Sequence, residues 1–312
     1  MDHPQSWHAG VRPSTTTRSW RVADVGPASV TVDLQRGARV AALDIEGQNI
    51  LVGLDGAPVS PFGDGLFAMA PYAGRVNQAQ FRWKGTQYAL PENVPPHSAH
   101  GVAADVEWKL VRPGVFRVDL DDRWPLGGFA RQEIRTSVDG LEILLTVGND
   151  IHAMPANPGL HPWFRRKIVG SSAILTWPAE LVYADDQLIT LRSLVVHDPA
   201  SRTWTAPASK HGPMLTWPGR LEVALSSIEA RCWVVHETET AICVEPQIAP
   251  GDALNAGDAM IVSPGDPCTI DLRMTMKRAP IATETEMDPV HASPGEGRTP
   301  HPPTPTPHPG RS

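Results

Sequence analysis

Three short segments, far apart in the chain, carry the residue types needed for acid–base chemistry on a small polar molecule. They are Pro71-Tyr72-Ala73-Gly74-Arg75, His161-Pro162-Trp163-Phe164 and Glu245-Pro246-Gln247. An imidazole and a carboxylate can exchange protons with a bound molecule, and a guanidinium can hold its oxygen atoms. Each segment also contains a proline, which restricts the backbone around it. The segments therefore predict a site whose acid, base and binding groups come from separate parts of the fold.

His161 is the candidate acid. It stands between Gly159-Leu160 and Pro162-Trp163-Phe164, a pattern that predicts a strand entering a turn. The neighbouring aromatic rings suit a sugar, which has an apolar ring face and a polar hydroxyl edge. The alternative for a single histidine is a core residue whose ring is satisfied by a backbone carbonyl. Only the combination with the other two segments favours a chemical role.

Glu245 is the candidate base. It is the only acidic residue in the apolar run 241–250, and burial at the end of such a strand raises the pKa of a carboxyl group. A base is most effective when its pKa lies near the working pH. Pro246 restricts Glu245 to an extended backbone, and Gln247 adds a second polar group on the same segment. The alternative is a strand-terminal glutamate that faces water.

Arg75 and two histidines are candidates for binding. Arg75 follows Gly74, which permits a tight turn, although a single arginine taken alone is more often explained by a surface salt bridge. His97 and His100 form an HxxH pair in a proline-rich loop. A metal site built from His97, His100 and His161 is an open alternative, but no acidic ligand follows at a suitable distance. The sequence predicts no metal ligand.

The elements that must position these residues are strands. Apolar and polar residues alternate in 30–34, 141–147 and 270–274, with the period of two that is typical of half-buried strands. Gly-containing turn signals stand between many runs, and Asp139-Gly140 is the strongest hairpin signal. No segment has the pattern of an amphipathic helix of several turns. The predicted fold is all-β, a large and mainly antiparallel β-sandwich.

Composition narrows the class of protein. The chain has 312 residues and a net charge of −7 without a long basic run, so nucleic acid is not an expected partner. Cys232, Cys243 and Cys268 are odd in number and lack a C-x-x-C spacing, which predicts buried, reduced thiols. Neither an apolar signal region nor a membrane-length apolar run is present, which predicts a cytoplasmic protein without a membrane partner.

Three regions are predicted along the chain. Residues 1–19 form a flexible N-terminal segment, residues 20–278 form the β-sandwich domain, and residues 279–312 form a disordered tail rich in Pro, Thr and His. The histidines of the tail have no defined ligand spacing, and a partner for its polyproline stretch is left open. The oligomeric state is not predicted.

The order of the motifs resembles the aldose 1-epimerase (galactose mutarotase) family. The resemblance rests on Pro71-Tyr72-Ala73-Gly74-Arg75, 87–93, His100-Gly101, 159–164 and Glu245-Pro246-Gln247, and covers about residues 20–277. It implies a β-supersandwich with a sugar in a cleft on one sheet, and a reaction that needs no cofactor. His161 would give a proton to the ring oxygen, and Glu245 would take one from the anomeric hydroxyl. The substrate-binding residues would be Arg75, His100, Trp163 and Gln247.

Two departures from the family pattern affect the choice of sugar. The chain has His100-Gly101-Val102 where members that act on free galactose or glucose usually have His-Gly-Gly. A substrate-holding aspartate has no secure counterpart, since Asp185 and Asp186 belong to a neighbouring turn. Arg165 and Arg166 could bind an anionic sugar such as a hexose 6-phosphate, or could be solvated charges at a strand end. A carbohydrate-binding protein without turnover is the rival hypothesis.

Overall fold

The computed structural model describes residues 15–53, 60–176, 202–207 and 212–280, with 202–207 described by backbone only. The strands, in chain order, are β1 (Thr15–Val22), β2 (Gly26–Asp33), β3 (Arg39–Ile45), β4 (Gln48–Asn49), β5 (Leu66–Met69), β6 (Arg75–Val76), β7 (Gln80–Trp83), β8 (Thr86–Ala89), β9 (Ser98–Ala99), β10 (Lys109–Arg112), β11 (Val115–Asp119), β12 (Phe129–Ser137), β13 (Gly140–Gly148), β14 (Met154–Ala156), β15 (Gly159–Arg165), β16 (Lys167–Ile168), β17 (Ser171–Ser172), β18 (Ile174–Thr176), β19 (Arg202–Pro207), β20 (Met214–Trp217), β21 (Leu221–Ser226), β22 (Cys232–Glu237), β23 (Ala241–Gln247), β24 (Met260–Val262) and β25 (Cys268–Lys277).

Most strands of the described residues belong to two large antiparallel sheets. The first, here called the site sheet, has the order β1-β2-β3-β5-β15-β23-β22-β19, with β4 paired to β3. The second, the backing sheet, has the order β10-β11-β12-β13-β25-β21-β20-β18. Short two-stranded pairs, such as β6 with β9, lie outside these sheets. The predicted large antiparallel sandwich is confirmed.

The alternating sequence patterns fall on strands of both sheets. The run 141–147 lies in β13 and 270–274 lies in β25, while 30–34 lies in β2 apart from its last residue. The Asp139-Gly140 signal marks the β12–β13 hairpin, in which Ser137 pairs with Gly140. Lys84 and Gly85 have φ angles of 46° and 83°, the left-handed turn conformation that matches the twist of the β7–β8 hairpin.

The core lies between the two sheets. Each strand turns alternate residues inward, so Leu160 and Val244 of the site sheet join Ile143 and Leu272 of the backing sheet in one buried cluster. A hydrogen bond from Gln132 Nε2 to the Ala38 carbonyl, 2.8 Å long, also connects residues of the two layers. Along the central strands of the site sheet, the residues that alternate with these core residues point away from the core and can form a site.

Helical structure is slight in the described residues. A 3₁₀ turn, Asn77–Ala79, and a short helix, α1 (Ala253–Ala256), are the helical elements there. No helix in these ranges is long and apolar enough to cross a membrane.

The first strand begins before residue 20, the predicted start of the domain. Strand β1 begins at Thr15, inside the segment 1–19, because 15–22 pair with 26–33 of β2. Residues 1–14 lie outside the described residues. So does nearly all of the predicted tail, since the described chain ends at Pro280.

Candidate active site

Two adjacent central strands, β15 and β23, bring the candidate acid and base together. Gly159 pairs with Gln247 and Trp163 pairs with Cys243, so the same register sets His161 directly opposite Glu245. Directly opposite residues of an antiparallel pair point to the same face of a sheet. This face, here called the site face, is the one turned away from the core.

His161 lies inside a strand, which corrects the prediction of a strand entering a turn. Strand β15 continues through Pro162 to Arg165. The proline is tolerated because the neighbouring Trp163 N–H bonds to the Gly65 carbonyl at 2.8 Å, so pairing resumes at once.

The candidate acid and base are in direct contact. His161 Nε2 lies 3.2 Å from Glu245 Oε1, and each residue is only 4% exposed. The ring of His161 stacks on Phe67 of β5, with centroids 4.5 Å apart and an interplanar angle of 19°. Phe67 is also the residue of β5 that lies directly opposite His161 in the strand pairing. Packing and strand pairing together fix the orientation of the imidazole.

Glu245 is held by two donors from its own strand. The Cys243 thiol donates to Oε1 at 2.8 Å, and Gln247 Nε2 donates to Oε2 at 2.8 Å. Burial raises the pKa of Glu245 to about 7, although both hydrogen bonds favour the carboxylate and act in the opposite direction. Residues 243, 245 and 247 share a face because the strand has a period of two. The carboxyl group can thus exchange a proton near neutral pH.

Burial has the opposite effect on His161. Desolvation lowers its pKa well below the ordinary value, and the nearby His100 and His236 lower it further. Its Nδ1 is buried and has no hydrogen-bond partner among the described residues. The ring of His100 meets it edge-on, with centroids 5.1 Å apart. The environment of this pair therefore opposes charge on either member.

His100 reaches the site from a strained loop. Its φ of 57° is left-handed, and its N–H bonds to the Gly74 carbonyl at 2.9 Å. The next residue, Gly101, has a φ of 73°, and a Cβ there would lie 2.0 Å from the Ala70 carbonyl oxygen. Burial of its ring, together with the positive charge of Arg75, lowers the pKa of His100 to about 3. His100 is therefore neutral at physiological pH.

Arg75 is placed next to this loop. It lies in β6, where it pairs with Ala99 of β9, the residue before His100. Its charge lowers the pKa of both His100 and His236, after the larger effect of burial. The guanidinium is thus close enough to both rings to influence their pKa values.

The two other predicted binding residues also lie on the site face. Trp163 is fixed by a hydrogen bond from Nε1 to the Phe62 carbonyl at 2.7 Å, and its ring tilts against His161 with centroids 5.1 Å apart. Gln247 is 1% exposed, and its Oε1 has no hydrogen-bond partner among the described residues. A buried acceptor without a partner is costly, so a hydrogen-bond donor on a bound molecule would stabilise it.

The structure adds three residues that the sequence did not single out for the site: Phe67, Cys243 and His236. His236 of β22 is directly opposite Cys243 and meets the Trp163 ring edge-on at 5.7 Å between centroids. No sequence motif surrounds His236, and its position next to the candidate site follows only from the register of β22 against β23. Cys243 is one of the predicted buried thiols, and the period of two from Glu245 was the available signal for its position.

Other sequence candidates are placed elsewhere or outside the described residues. His97 Nδ1 accepts from the Gln78 N–H at 3.2 Å in a partly exposed loop. Arg166 points to the opposite face from His161 and pairs with Glu237 at 2.9 Å, whereas Arg165 lies on the site face. Asp185 and Asp186 lie outside the described residues.

Comparison with known proteins identifies the family. A sequence model of the aldose 1-epimerase family matches residues 26–211, more than half of the chain, and the chain belongs to this family. The matched range includes His161 but ends before Glu245, which the structure places beside it. No curated protein sequence matches the chain significantly.

Solved structures share the fold at low sequence identity. A galactose mutarotase-like protein from Clostridium acetobutylicum is 14% identical, with a TM-score of 0.71 over 88% of this chain and 100% of its own. A putative aldose 1-epimerase from Escherichia coli is 17% identical, with a TM-score of 0.68 over 84% and 99%. A galactose 1-epimerase from Lactobacillus acidophilus is 15% identical, with a TM-score of 0.65 over 88% and 98%. These likenesses establish the fold.

Proposed function

We propose that the protein is an aldose 1-epimerase that interconverts the α and β anomers of an aldose by opening and reclosing its ring. The observation that carries the proposal is the contact of His161 Nε2 with Glu245 Oε1 at 3.2 Å on a buried sheet face. The anomeric oxygen and the ring oxygen of an aldose are bonded to the same carbon. An acid and a base this close together can therefore serve both oxygens at once.

The proposed reaction moves two protons. Glu245 takes the proton of the anomeric hydroxyl, and His161 gives a proton to the ring oxygen, so the bond between the first carbon and the ring oxygen breaks. Rotation about the next carbon–carbon bond presents the other face of the aldehyde. The same two groups then act in reverse. The oxidation state of the sugar does not change, so the proposed steps transfer only protons.

Neighbouring residues support the proposed chemistry by position. Gln247 and Cys243 fix the Glu245 carboxylate, and Phe67 fixes the His161 ring. The Trp163 ring offers an apolar surface beside the acid for one face of the sugar. Arg75 and His100 would hold hydroxyl groups from the loop side.

The direct test is the rate of anomer interconversion of freshly dissolved α-glucose and α-galactose, followed by polarimetry. Loss of a positioned acid or base lowers a rate by about 10²–10⁴-fold, so we expect losses of that size for His161→Ala and Glu245→Gln. The matched controls are His152→Ala and Glu92→Gln, since both of these residues are exposed. Turnover retained in either active-site variant would refute the role assignment. Sugar binding without any turnover in the wild type would favour the carbohydrate-binding hypothesis.

A phosphorylated substrate is the second candidate, and one observation favours it. Arg165 shares the site face with His161 and Trp163, and its Nε donates to the Leu51 carbonyl at 2.8 Å, which fixes a guanidinium on that face. A guanidinium suits phosphate oxygens. Hexose 6-phosphate 1-epimerase activity would follow if this group meets the phosphate.

Arg166 provides a matched control for that candidate, because it points to the other face and pairs with Glu237. For a phosphate-binding site, Arg165→Met should lower kcat/KM for glucose 6-phosphate by about 10-fold or more and leave glucose unaffected. Arg166→Met should change neither value. Equal effects of Arg165→Met on both sugars would contradict a phosphate contact. The measurement is anomer interconversion by NMR at matched sugar concentrations.

A further inference from the structure

Three chemically different side chains meet at the proposed acid–base pair. His161 Nε2, Cys243 Sγ and a Glu245 carboxylate oxygen all lie within 4.8 Å of one another, and all three residues are buried. Among the described residues, this is the one group of histidine, cysteine and acidic side chains close enough to share a metal ion. Proton transfer accounts for the imidazole and the carboxylate but leaves the thiol without a chemical role of its own.

The donor set is the one that zinc prefers. Zinc in proteins is bound by cysteine sulfur, histidine nitrogen and carboxylate oxygen, at roughly 2.3 Å for sulfur and about 2.0–2.2 Å for nitrogen or oxygen. Tetrahedral bonds of these lengths place neighbouring donor atoms about 3.3–3.6 Å apart. The observed separations are 3.2 Å from Nε2 to Oε1, 3.9 Å from Nε2 to Sγ and 2.8 Å from Sγ to Oε1. Small side-chain adjustments would bring all three to the ligand spacing.

The charge of such a complex is balanced. A divalent cation, a thiolate, a carboxylate and a neutral imidazole sum to zero, which avoids the cost of leaving a net charge in a buried site. The nearby guanidinium of Arg39 is already paired with Asp64 at 2.9 Å. Gln247 donates to the second oxygen of Glu245, the kind of outer contact that orients a ligating carboxylate.

We propose that His161, Cys243 and Glu245 form a three-ligand site for a thiophilic divalent cation such as Zn²⁺. The ion would occupy the space between the acid and the base and leave a fourth position for water. Because it binds His161 Nε2 and Glu245 at the atoms that exchange protons, the ion would block turnover. The blocking step rests on the proposed function, whereas the binding step does not.

Titration of the full-length protein with Co²⁺ tests the binding step. Co²⁺ occupies zinc sites, and its bond to a thiolate gives a charge-transfer absorption band in the near ultraviolet. We expect this band to saturate at one equivalent of Co²⁺ and to disappear when Zn²⁺ is added. Histidines elsewhere, including His291, His301 and His308, cannot produce a thiolate band. Absence of the band in the wild type would overturn the proposal.

Two variants and one control locate the site. Cys243→Ser should abolish the thiolate band, and Glu245→Gln should weaken Co²⁺ binding by more than the roughly 10–100-fold that loss of an outer contact costs. Cys232→Ser is the matched control, because Cys232 is a buried thiol on the adjacent strand whose Sγ contacts the Gln247 carbonyl at 3.8 Å. A band that survives Cys243→Ser, or that disappears in Cys232→Ser, would overturn the assignment.

Anomer interconversion in the presence of Zn²⁺ tests the blocking step separately. At a Zn²⁺ concentration that displaces all Co²⁺ from the protein, we expect turnover to fall by more than about tenfold. Unchanged turnover at that concentration would overturn the blocking step. A wild-type protein that binds Co²⁺ through Cys243 but never accelerates interconversion would refute the proposed function and leave the metal site standing.

Discussion

At the scale of single residues, the contact between His161 and Glu245 is best treated as one unit that shares protons. A neutral imidazole beside a carboxylic acid contains the same number of protons as an imidazolium beside a carboxylate. Burial lowers the pKa of His161 and raises that of Glu245 to about 7, so the pair keeps one exchangeable proton below about pH 7. In the proposed reaction this proton passes from Glu245 to His161 across the 3.2 Å contact, which leaves Glu245 as the base and His161 as the acid.

The protonation state of the pair predicts how activity depends on pH. Above about pH 7 the pair loses its shared proton, which leaves a carboxylate and a neutral imidazole that is a much weaker acid. We therefore expect kcat/KM for anomer interconversion to fall as the pH rises through about 7. The measurement is a pH series by polarimetry with the background rate subtracted at each pH.

The opposite slope would carry a different meaning. If kcat/KM rises through this range, the ionised Glu245 acts with a neutral His161 that polarises the ring oxygen without prior protonation. Arg75 provides a control for assigning this apparent pKa to the His161–Glu245 pair, because an arginine carries its charge throughout this pH range. In Arg75→Lys the rate should change while the apparent pKa stays near that of the wild type.

Several residues of the candidate site could be predicted from the sequence, but its full composition could not. His161, Trp163, Glu245 and Gln247 stand in two short motifs, and the period of two sets each pair on one face. His236 stands in no motif and enters the site only through the pairing of β22 with β23. Its role depends on a strand register, which a single sequence does not reveal.

At the scale of elements, the loop that presents His100 depends on close backbone contact. Gly101 has a φ of 73°, and the backbone N–H of the next residue, Val102, donates to the Ala70 carbonyl at 2.9 Å. A Cβ at Gly101 would lie 2.0 Å from that carbonyl oxygen, a distance that requires the loop to move. The glycine is therefore needed for both its left-handed φ and the absence of a side chain.

A pair of glycine variants separates these two effects. Gly85 has a similar φ of 83° but nothing within 4 Å of its Cβ position, so Gly85→Ala should cost only the left-handed conformation, about 1–2 kcal/mol. Gly101→Ala should cost more, because the contact with Ala70 is added, and should raise KM as His100 shifts. Urea denaturation and sugar kinetics give the two readouts. Equal stability losses would contradict the close approach.

Strand positions were predictable because burial on one side produces alternation, whereas sheet order was not. The runs 141–147 and 270–274 were predicted as strands, and the structure pairs them directly as β13 and β25. In the site sheet, β5, β15 and β23 are neighbours although long stretches of chain separate them. Such pairings depend on packing across the whole domain, and local patterns do not contain that information.

At the scale of the whole molecule, the sandwich uses the two faces of one sheet for different purposes. Leu160, Phe164 and Val244 pack against the backing sheet and supply the apolar burial that stabilises the fold. The alternate residues on the same strands hold ionisable groups in an environment that opposes their charges. The site therefore lowers the stability of the domain at the pH where Glu245 ionises, and the core must compensate.

This cost can be measured through global unfolding. The unfolded chain loses the Glu245 proton near pH 4.5, and the folded protein keeps it until about pH 7. Between these values the folded state binds more protons, so this residue makes the wild-type free energy of unfolding fall as pH rises. The glutamine side chain in Glu245→Gln cannot ionise, so the variant does not lose this free energy of unfolding as the pH rises. Since one pKa unit corresponds to about 1.4 kcal/mol, the variant should gain at most about 3 kcal/mol relative to the wild type.

Urea denaturation of both proteins at about pH 4 and about pH 8 isolates the effect, because other carboxyl groups contribute equally to the two curves. The exposed control Glu92→Gln should follow the wild type at both pH values. A Glu245→Gln protein that is inactive yet relatively more stable at the higher pH would show that the buried carboxylate trades stability for function. If the difference in the free energy of unfolding between Glu245→Gln and the wild type does not change with pH, Glu245 ionises in the folded protein as readily as in water. That result would contradict the proton-sharing pair.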